Sequence, residues 1–286
     1  MGEGDRLTRG RGSGGSISTS HRGVEAAFAD GEYAPYLAAD LHMSSAMFGK
    51  YVRPGTRPVD WREWAARWLG NLSGKRLLDL GCGMGEEAVY FAKLGAEVLA
   101  ADISPVGLAL VQRRAEANGV AKRVRPLMMV GEKLALRSGS VDLVHGLGIL
   151  HHVHLQTALS EIRRVLGPRG RGVFLEPVDF TRVIPRLKSW LRLSLTPTTP
   201  LERHLGLADL LAIRAEFPVC HIREFYVLAR LRKVVSAPIA EWLKRVDCLL
   251  LTHIPWARRF ASGVVIQVGV AGEQDGASGF VSPWLR

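Results

Sequence analysis

Leu77-Leu78-Asp79-Leu80-Gly81-Cys82-Gly83-Met84-Gly85-Glu86 decides the reading of this chain. An apolar run ends in an acid, three glycines come next at alternate positions, and a helix-like segment begins. The order is strand, tight loop, helix start, which is how a βαβ unit builds a nucleotide-type pocket. Glycine lets the backbone turn sharply and approach a ligand closely. Glycines also serve ordinary turns, so Asp79 carries the extra information. An acid two residues before the first glycine is expected to face the ligand. Glycine loops and helix N-termini attract anions. A carboxylate there would repel a pyrophosphate and favour a ligand bearing an ammonium and a sulfonium. A second acid, Asp102, closes the apolar run Glu97-Val98-Leu99-Ala100-Ala101, 21 residues past Gly81. From that position an acid can accept both ribose hydroxyls of an adenosine ligand. The plainer reading makes Asp102 a turn residue before a helix opened by Ser104-Pro105.

Outward from this stretch, strands alternate with helices. Strands are expected near 76–80, 97–101, 124–129, 141–146 and 171–176, and helices near 86–94, 105–118 and 155–166. The alternation predicts an α/β fold with a doubly wound, Rossmann-like sheet. Two later strands, near 219–228 and 263–270, flank a helix near 238–252.

The chain resembles the class I S-adenosylmethionine-dependent methyltransferases, in particular their small-molecule branch. The resemblance rests on LLDLGCGMGEEAVYFAKLGAEVLAADISPVGLALVQRRAEANGV, SGSVDLVHGLGILHHV and EIRRVLGPRGRGVFLEP, in that order. It covers about residues 72–177 and, more weakly, the last strand. It implies a seven-stranded mixed sheet whose last two strands form an antiparallel edge pair, and S-adenosylmethionine as cofactor. Asp79 and the loop Gly81, Cys82, Gly83 and Gly85 would then hold the methionine portion, with Cys82 a small packing residue. Asp102 would bind the ribose and Ile103 would lie on the adenine face. The resemblance adds Gly131, Glu132, Gly146 and Leu147 to the cofactor set. The family motif D-A-E-x-L-P-F reads here Val130-Gly131-Glu132-Lys133-Leu134-Ala135-Leu136. Val130 replaces the acid that usually meets the adenine amino group, so Glu132 and backbone groups would have to compensate.

Methyl transfer from a sulfonium needs alignment above all. A general base matters only where the acceptor keeps its proton at neutral pH. His152 and His151 come after the fourth strand, beside the expected methyl position, and histidine suits a hydroxyl or phenol acceptor. The bland alternative is a hydrogen-bonded turn. Glu176, at the end of the fifth strand, is a candidate to orient the acceptor or merely to cap the insertion beyond that strand. The histidines 145, 151, 152 and 154 lack the spacing of a helical ligand pair, and no metal is expected.

The chain has 286 residues, 47% apolar, and a formal charge of +11. Residues 161–260 hold 18 Lys or Arg against 9 Asp or Glu, and so carry nine of that eleven-charge excess. A basic excess can attract nucleic acid, anionic lipid or a phosphorylated substrate, although a solvated arginine-rich surface is the plain reading. Nucleic acid is not the expected partner, because Gly146-Leu147-Gly148-Ile149 stands where a base-flipping methyltransferase would carry an Asn/Asp-Pro-Pro-aromatic motif. Three widely spaced cysteines suggest a reducing, cytoplasmic setting. No secretory pattern and no uncharged apolar run of spanning length is present.

Residues 1–22 read as a disordered tail, 23–70 as a helical N-terminal cap, and 71–272 as the cofactor-binding domain. Within that domain, 178–216 read as a helical, substrate-side insertion after strand five, and 273–286 read as a flexible tail. Trp61, Trp64 and Trp68 share one helix face and are expected to dock the cap on the core. Ile239, Trp242, Leu243, Val246, Leu249 and Leu250 form an apolar stripe, expected to pack in the core or against a second copy. A second basic amphipathic stretch surrounds Trp190, and such elements can lie on a membrane or cover an apolar substrate. The expected activity is methyl transfer to a small, apolar or lipid-like acceptor in specialised or lipid metabolism. Oxygen is the favoured acceptor atom, with nitrogen and carbon open. The competing readings are a nucleic-acid methyltransferase and a cofactor-binding cyclase or regulator, and the protein is expected as a monomer or homodimer.

Overall fold

A computed structural model describes residues 19–44, 48, 59–181 and 203–270. Residues 1–18 of the tail expected over 1–22, the tail expected at 273–286 and the Trp190 stretch lie outside the described residues. The strands are β1 (Arg76–Leu80), β2 (Glu97–Asp102), β3 (Val124–Met128), β4 (Val141–Leu147), β5 (Leu166–Pro177), β6 (Val219–Phe225) and β7 (Gly263–Gly269). They form one sheet in the order β3-β2-β1-β4-β5-β7-β6. The pairs from β3 to β5 are parallel, and β7 runs antiparallel to both β5 and β6. This is the seven-stranded mixed sheet of the sequence reading.

The helices are α1 (Thr19–Tyr33), α2 (Trp61–Leu69), α3 (Glu86–Lys93), α4 (Pro105–Ala117), α5 (Leu155–Val165), α6 (Leu207–Glu216) and α7 (Ala237–His253). Their starts reflect local chemistry. Asp60 caps α2 in a capping box with Glu63, and Ser104 caps α4 by accepting from Gly107 N at 2.8 Å, with Pro105 in the first turn. α5 buries Leu155, Ala158, Leu159, Ile162 and Val165, a stripe at helical spacing against the sheet. Each large side chain so buried stabilises the fold by about 1.5–3 kcal/mol.

α1 begins at Thr19, ahead of position 23 where the cap was expected to start. β5 extends from Leu166, and its early residues are offset by a register shift opposite Val141–Leu143. β6 stops at Phe225 and does not continue to 228, because Tyr226 turns the chain with φ 65°, a rare conformation for a bulky residue. α6 occupies the end of the stretch read as an insertion. It buries Leu210 and Ile213 and packs on α5 and β6, so it is the crossover between β5 and β6.

The tryptophan face of α2 docks as expected. Trp68 Nε1 donates to Gly172 O at 3.2 Å, Trp61 meets Tyr226 edge-on, and the Arg223 guanidinium lies 3.9 Å from the Trp64 ring centre. The stripe on α7 divides: Leu243 packs in the core, whereas Ile239, Trp242 and Leu249 face outward from this chain.

Candidate active site

The carboxyl ends of β1, β2 and β4 converge at one edge of the sheet, where open α/β sheets bind ligands. A cleft of about 290 Å³ opens there, at the small end of the range for small-molecule sites. Gly81, Asp102, Ile103, Val130, Gly131, Glu132, Leu147 and His152 line it. A larger cavity, about 540 Å³, lies at the opposite, amino edge of the strands and includes no part of the glycine loop.

The loop needs its glycines for two separate reasons. Gly81 has φ 68°, and a Cβ there would sit 2.8 Å from Ile149 Cδ1. Gly85 has φ 79°, and a Cβ there would meet Val111 Cγ2 at 2.9 Å. The loop amides point into the protein. Gly81 N and Cys82 N both donate to Ala101 O, at 2.8 and 3.0 Å, and Gly85 N donates to Cys82 O at 2.9 Å. Gly83 N donates to Asp102 Oδ2 at 2.8 Å. Four amides of the loop are therefore already bonded within the protein, which leaves fewer donors for a pyrophosphate. The first turn of α3 carries Glu86 and Glu87, which further disfavours an anion.

Asp79 does not face the cleft, contrary to the sequence reading. It is 2% exposed, with Oδ1 2.7 Å from His145 Nδ1. Burial pushes its carboxyl upward, against the lowering effect of the His145 bond. The pair ties β1 to β4 behind the loop. Cys82, Gly83, Gly85 and Gly146 also lie off the cleft wall and shape it from behind. A Cβ on Gly146 would come 2.7 Å from Ile149 Cγ2. Burial holds the Cys82 thiol well above its ordinary range, as a packing residue requires.

The negative charge expected of Asp79 is supplied by other residues. Glu25 and Glu32 of α1, Asp102 and Glu132 all line the cleft, against one arginine, Arg22. Asp102 Oδ1 accepts from Ser104 N at 2.9 Å, so this acid both anchors the loop and reaches the cleft. Burial raises its carboxyl, with the bonds from Ser104, Gly83 and Ile103 pulling the other way. Glu132 Oε1 accepts from His154 N at 2.9 Å. Helix α1 lies over this edge. Asp30 bonds Ser104 Oγ, and a Cβ on Gly83 would come 3.1 Å from the Tyr33 hydroxyl. Sequence reasoning missed Glu25, Glu32 and Asp30, whose only signal was membership of an acidic helix.

The histidines separate into distinct roles. His151 Nδ1 lies 2.7 Å from Glu176 Oε2, and its side chain is 4% exposed. Glu176 is fully buried, and its Oε1 accepts from Ile149 N at 2.9 Å and Leu150 N at 2.8 Å. Glu176, a candidate to orient the acceptor or to cap the insertion, thus clamps the turn after β4, and His151 belongs to that clamp. His152 lines the cleft with Nδ1 3.1 Å from Glu25 Oε2. His145 sits on Asp79, and His154 Nδ1 lies 2.8 Å from Thr157 Oγ1.

Residues 78–174 match the family described as Methyltransferase domain. Over that stretch the chain carries a methyltransferase domain of the class I, S-adenosylmethionine-dependent kind. Among relatives of this methyltransferase, demethylmenaquinone methyltransferase of Thermus thermophilus is 38% identical over 119 residues, covering 41% of this chain and 53% of the relative. The ubiquinone biosynthesis O-methyltransferase of Acinetobacter baylyi is 29% identical over 116 residues, 41% of this chain and 49% of the relative. The chain spans about half the length of these two relatives. In fold it is similar to geranyl diphosphate C-methyltransferase from Streptomyces coelicolor, at TM-score 0.59 and 16% identity, covering 90% of this chain and all of that one.

Proposed function

We propose that this methyltransferase moves a methyl group from S-adenosylmethionine to a small, fairly apolar acceptor, with oxygen the favoured acceptor atom. One observation carries the reading: the cleft at the carboxyl edge is walled by four carboxylates, while four amides of the glycine loop are bonded inside the protein. That wall fits a donor carrying an ammonium and a sulfonium. When bound, the donor supplies a methyl group already activated on sulfur. Asp102 is positioned to accept from the ribose, Ile103 and Met129 provide apolar surface, and Glu132 stands where Val130 leaves the adenine without its usual acid.

His152 takes the acceptor proton in this reading. Glu25 Oε2 lies 3.1 Å from its Nδ1, where a carboxylate would stabilise the imidazolium formed when the ring takes the proton. Phe28, Leu147, Ile149 and Val153 line the same cleft and suit an apolar acceptor. The relatives named for demethylmenaquinone and ubiquinone biosynthesis support a lipid-soluble, quinone-type acceptor in a biosynthetic pathway, and the second, an O-methyltransferase, supports oxygen as the acceptor atom. A cytoplasmic setting belongs to the reading, supported by three cysteines present as thiols.

Titration calorimetry with S-adenosylmethionine, S-adenosylhomocysteine and NADH tests the donor. Both sulfur ligands are expected to bind and NADH is not. Heat from NADH with none from the sulfur ligands would overturn the assignment. For the base, His152→Ala is expected to lower kcat with a phenolic acceptor by about 10²–10⁴-fold. Its affinity for S-adenosylhomocysteine should stay within a few-fold, and Glu25→Gln should give a smaller loss. Unchanged kcat across pH in His152→Ala would remove this residue as the base.

A further inference from the structure

We infer that the connection between β6 and β7 is a docking face for an anionic lipid bilayer. Helix α7 carries two apolar faces. One buries Ala240, Leu243 and Leu251, and the other presents Ile239, Trp242 and Leu249 to solvent at a spacing of one face. Trp242 is 61% exposed and Leu249 59%. The flanking segments 229–233 and 255–260 pack on α7, and this stretch adds exposed Leu231, Val234 and Trp256. Scattered apolar side chains on a surface need no explanation, but a run of this size on one connection does.

Charge selects the occupant. Residues 227–262 hold seven Lys or Arg and two acids. Lys244 is paired with Asp60 and Glu241, Arg258 is buried and Arg230 bonds backbone carbonyls, while Arg245 and Arg259 remain on the surface. Both acids are engaged within the protein. Asp247 is buried and accepts from Leu228 N and Ala229 N, each at 2.8 Å, and Glu241 bonds Lys244. Arg245, between Trp242 and Leu249 on the helix, is exposed and has no acidic partner among the described residues. An anionic bilayer neutralises those cations while tryptophan and leucine enter its interface. Among the described residues no helix is long and apolar enough to cross a membrane, so the contact is peripheral.

The topology gives the face a purpose. Register pairs Phe225 with Gly263 and Gly263 with Pro177. The end of β6, the start of β7 and the end of β5 therefore share the edge that holds the cleft. Granted the apolar acceptor proposed above, docking brings that edge to the phase in which the acceptor dissolves. The docking itself rests on exposure and charge alone.

Co-sedimentation of the full chain tests it, with no methyl donor present, so the result does not depend on the transfer reaction. Vesicles of phosphatidylcholine with phosphatidylglycerol should bind the protein about tenfold or more tightly than phosphatidylcholine alone, and less so as salt rises. The double variant Trp242→Glu, Leu249→Glu should lose most of that binding while keeping the wild-type circular dichroism. Arg245→Glu alone should weaken binding to anionic vesicles and leave neutral ones unaffected, which covers the case in which the double variant fails to fold. Absence of binding to anionic vesicles, or undiminished binding by both variants, would overturn the inference. So would a wild-type dimer that the double variant splits, since a second copy would then be the occupant.

Discussion

Asp102→Ala is expected to weaken binding of S-adenosylhomocysteine by about a hundredfold, close to 3 kcal/mol, read by calorimetry. Hydrogen bonds to a charged acceptor are each worth about 1.5–3 kcal/mol. In this site the carboxylate has two tasks. It accepts from Gly83 N and Ser104 N, which fixes the loop against α4, and it stands at the cleft for the ribose hydroxyls. Asn cannot substitute cleanly, because one of its two terminal atoms would turn an N–H toward a backbone N–H. A large fall in melting temperature with unchanged ligand affinity would make Asp102 a cap only.

The same acid gives a pH dependence of definite sign. Burial raises its carboxyl in the folded protein. A raised acid stabilises the free fold fully below its unfolded pKa, and that contribution fades as pH rises through the folded value. Ligand hydroxyls donate to the ionised form, so affinity moves the other way. It should strengthen with pH over the acidic range, at higher pH than an ordinary aspartate would show. In Asp102→Ala that slope should flatten.

The sheet was legible because its signals are local. Leu77–Leu80 and Leu143–Gly146 are parallel strands buried on both sides, and the glycines after β1 sit at left-handed positions that few other residues tolerate. The direction of Asp79 was illegible for the same reason. When both faces of a strand are buried, alternation does not say which face an acid occupies. The charge that meets a ligand comes instead from Glu25, Glu32, Asp102 and Glu132. The two residues on α1 lie more than a hundred positions from His152, and no spacing rule connects them. Helix α7 was legible only in part. Apolar residues recur on both of its faces, so periodicity established the helix without telling the core face from the solvent face.

The second large effect is expected at Glu176. Glu176→Ala leaves Ile149 N, Leu150 N and the His151 ring without their buried acceptor. Breaking a buried, hydrogen-bonded charge of this kind costs about 3–5 kcal/mol, a large part of the roughly 5–15 kcal/mol that holds a domain folded. Chemical denaturation should show it as a lower midpoint with an unchanged slope. The damage should also reach the glycine loop, because Ile149 fills the space beside Gly81 and Gly146. Glu176→Gln separates the clamp from the acceptor-orienting role that its place at the strand end suggests. Gln keeps one oxygen for the two backbone donors, so it should cost only about 1–2 kcal/mol, and the acceptor KM should be unchanged. His151→Ala combined with Glu176→Gln should cost less than the sum of the two, as members of one network do. A Gln variant of wild-type stability with a sharply raised acceptor KM would return Glu176 to the acceptor site, and the turn after β4 would then need another explanation for its shape.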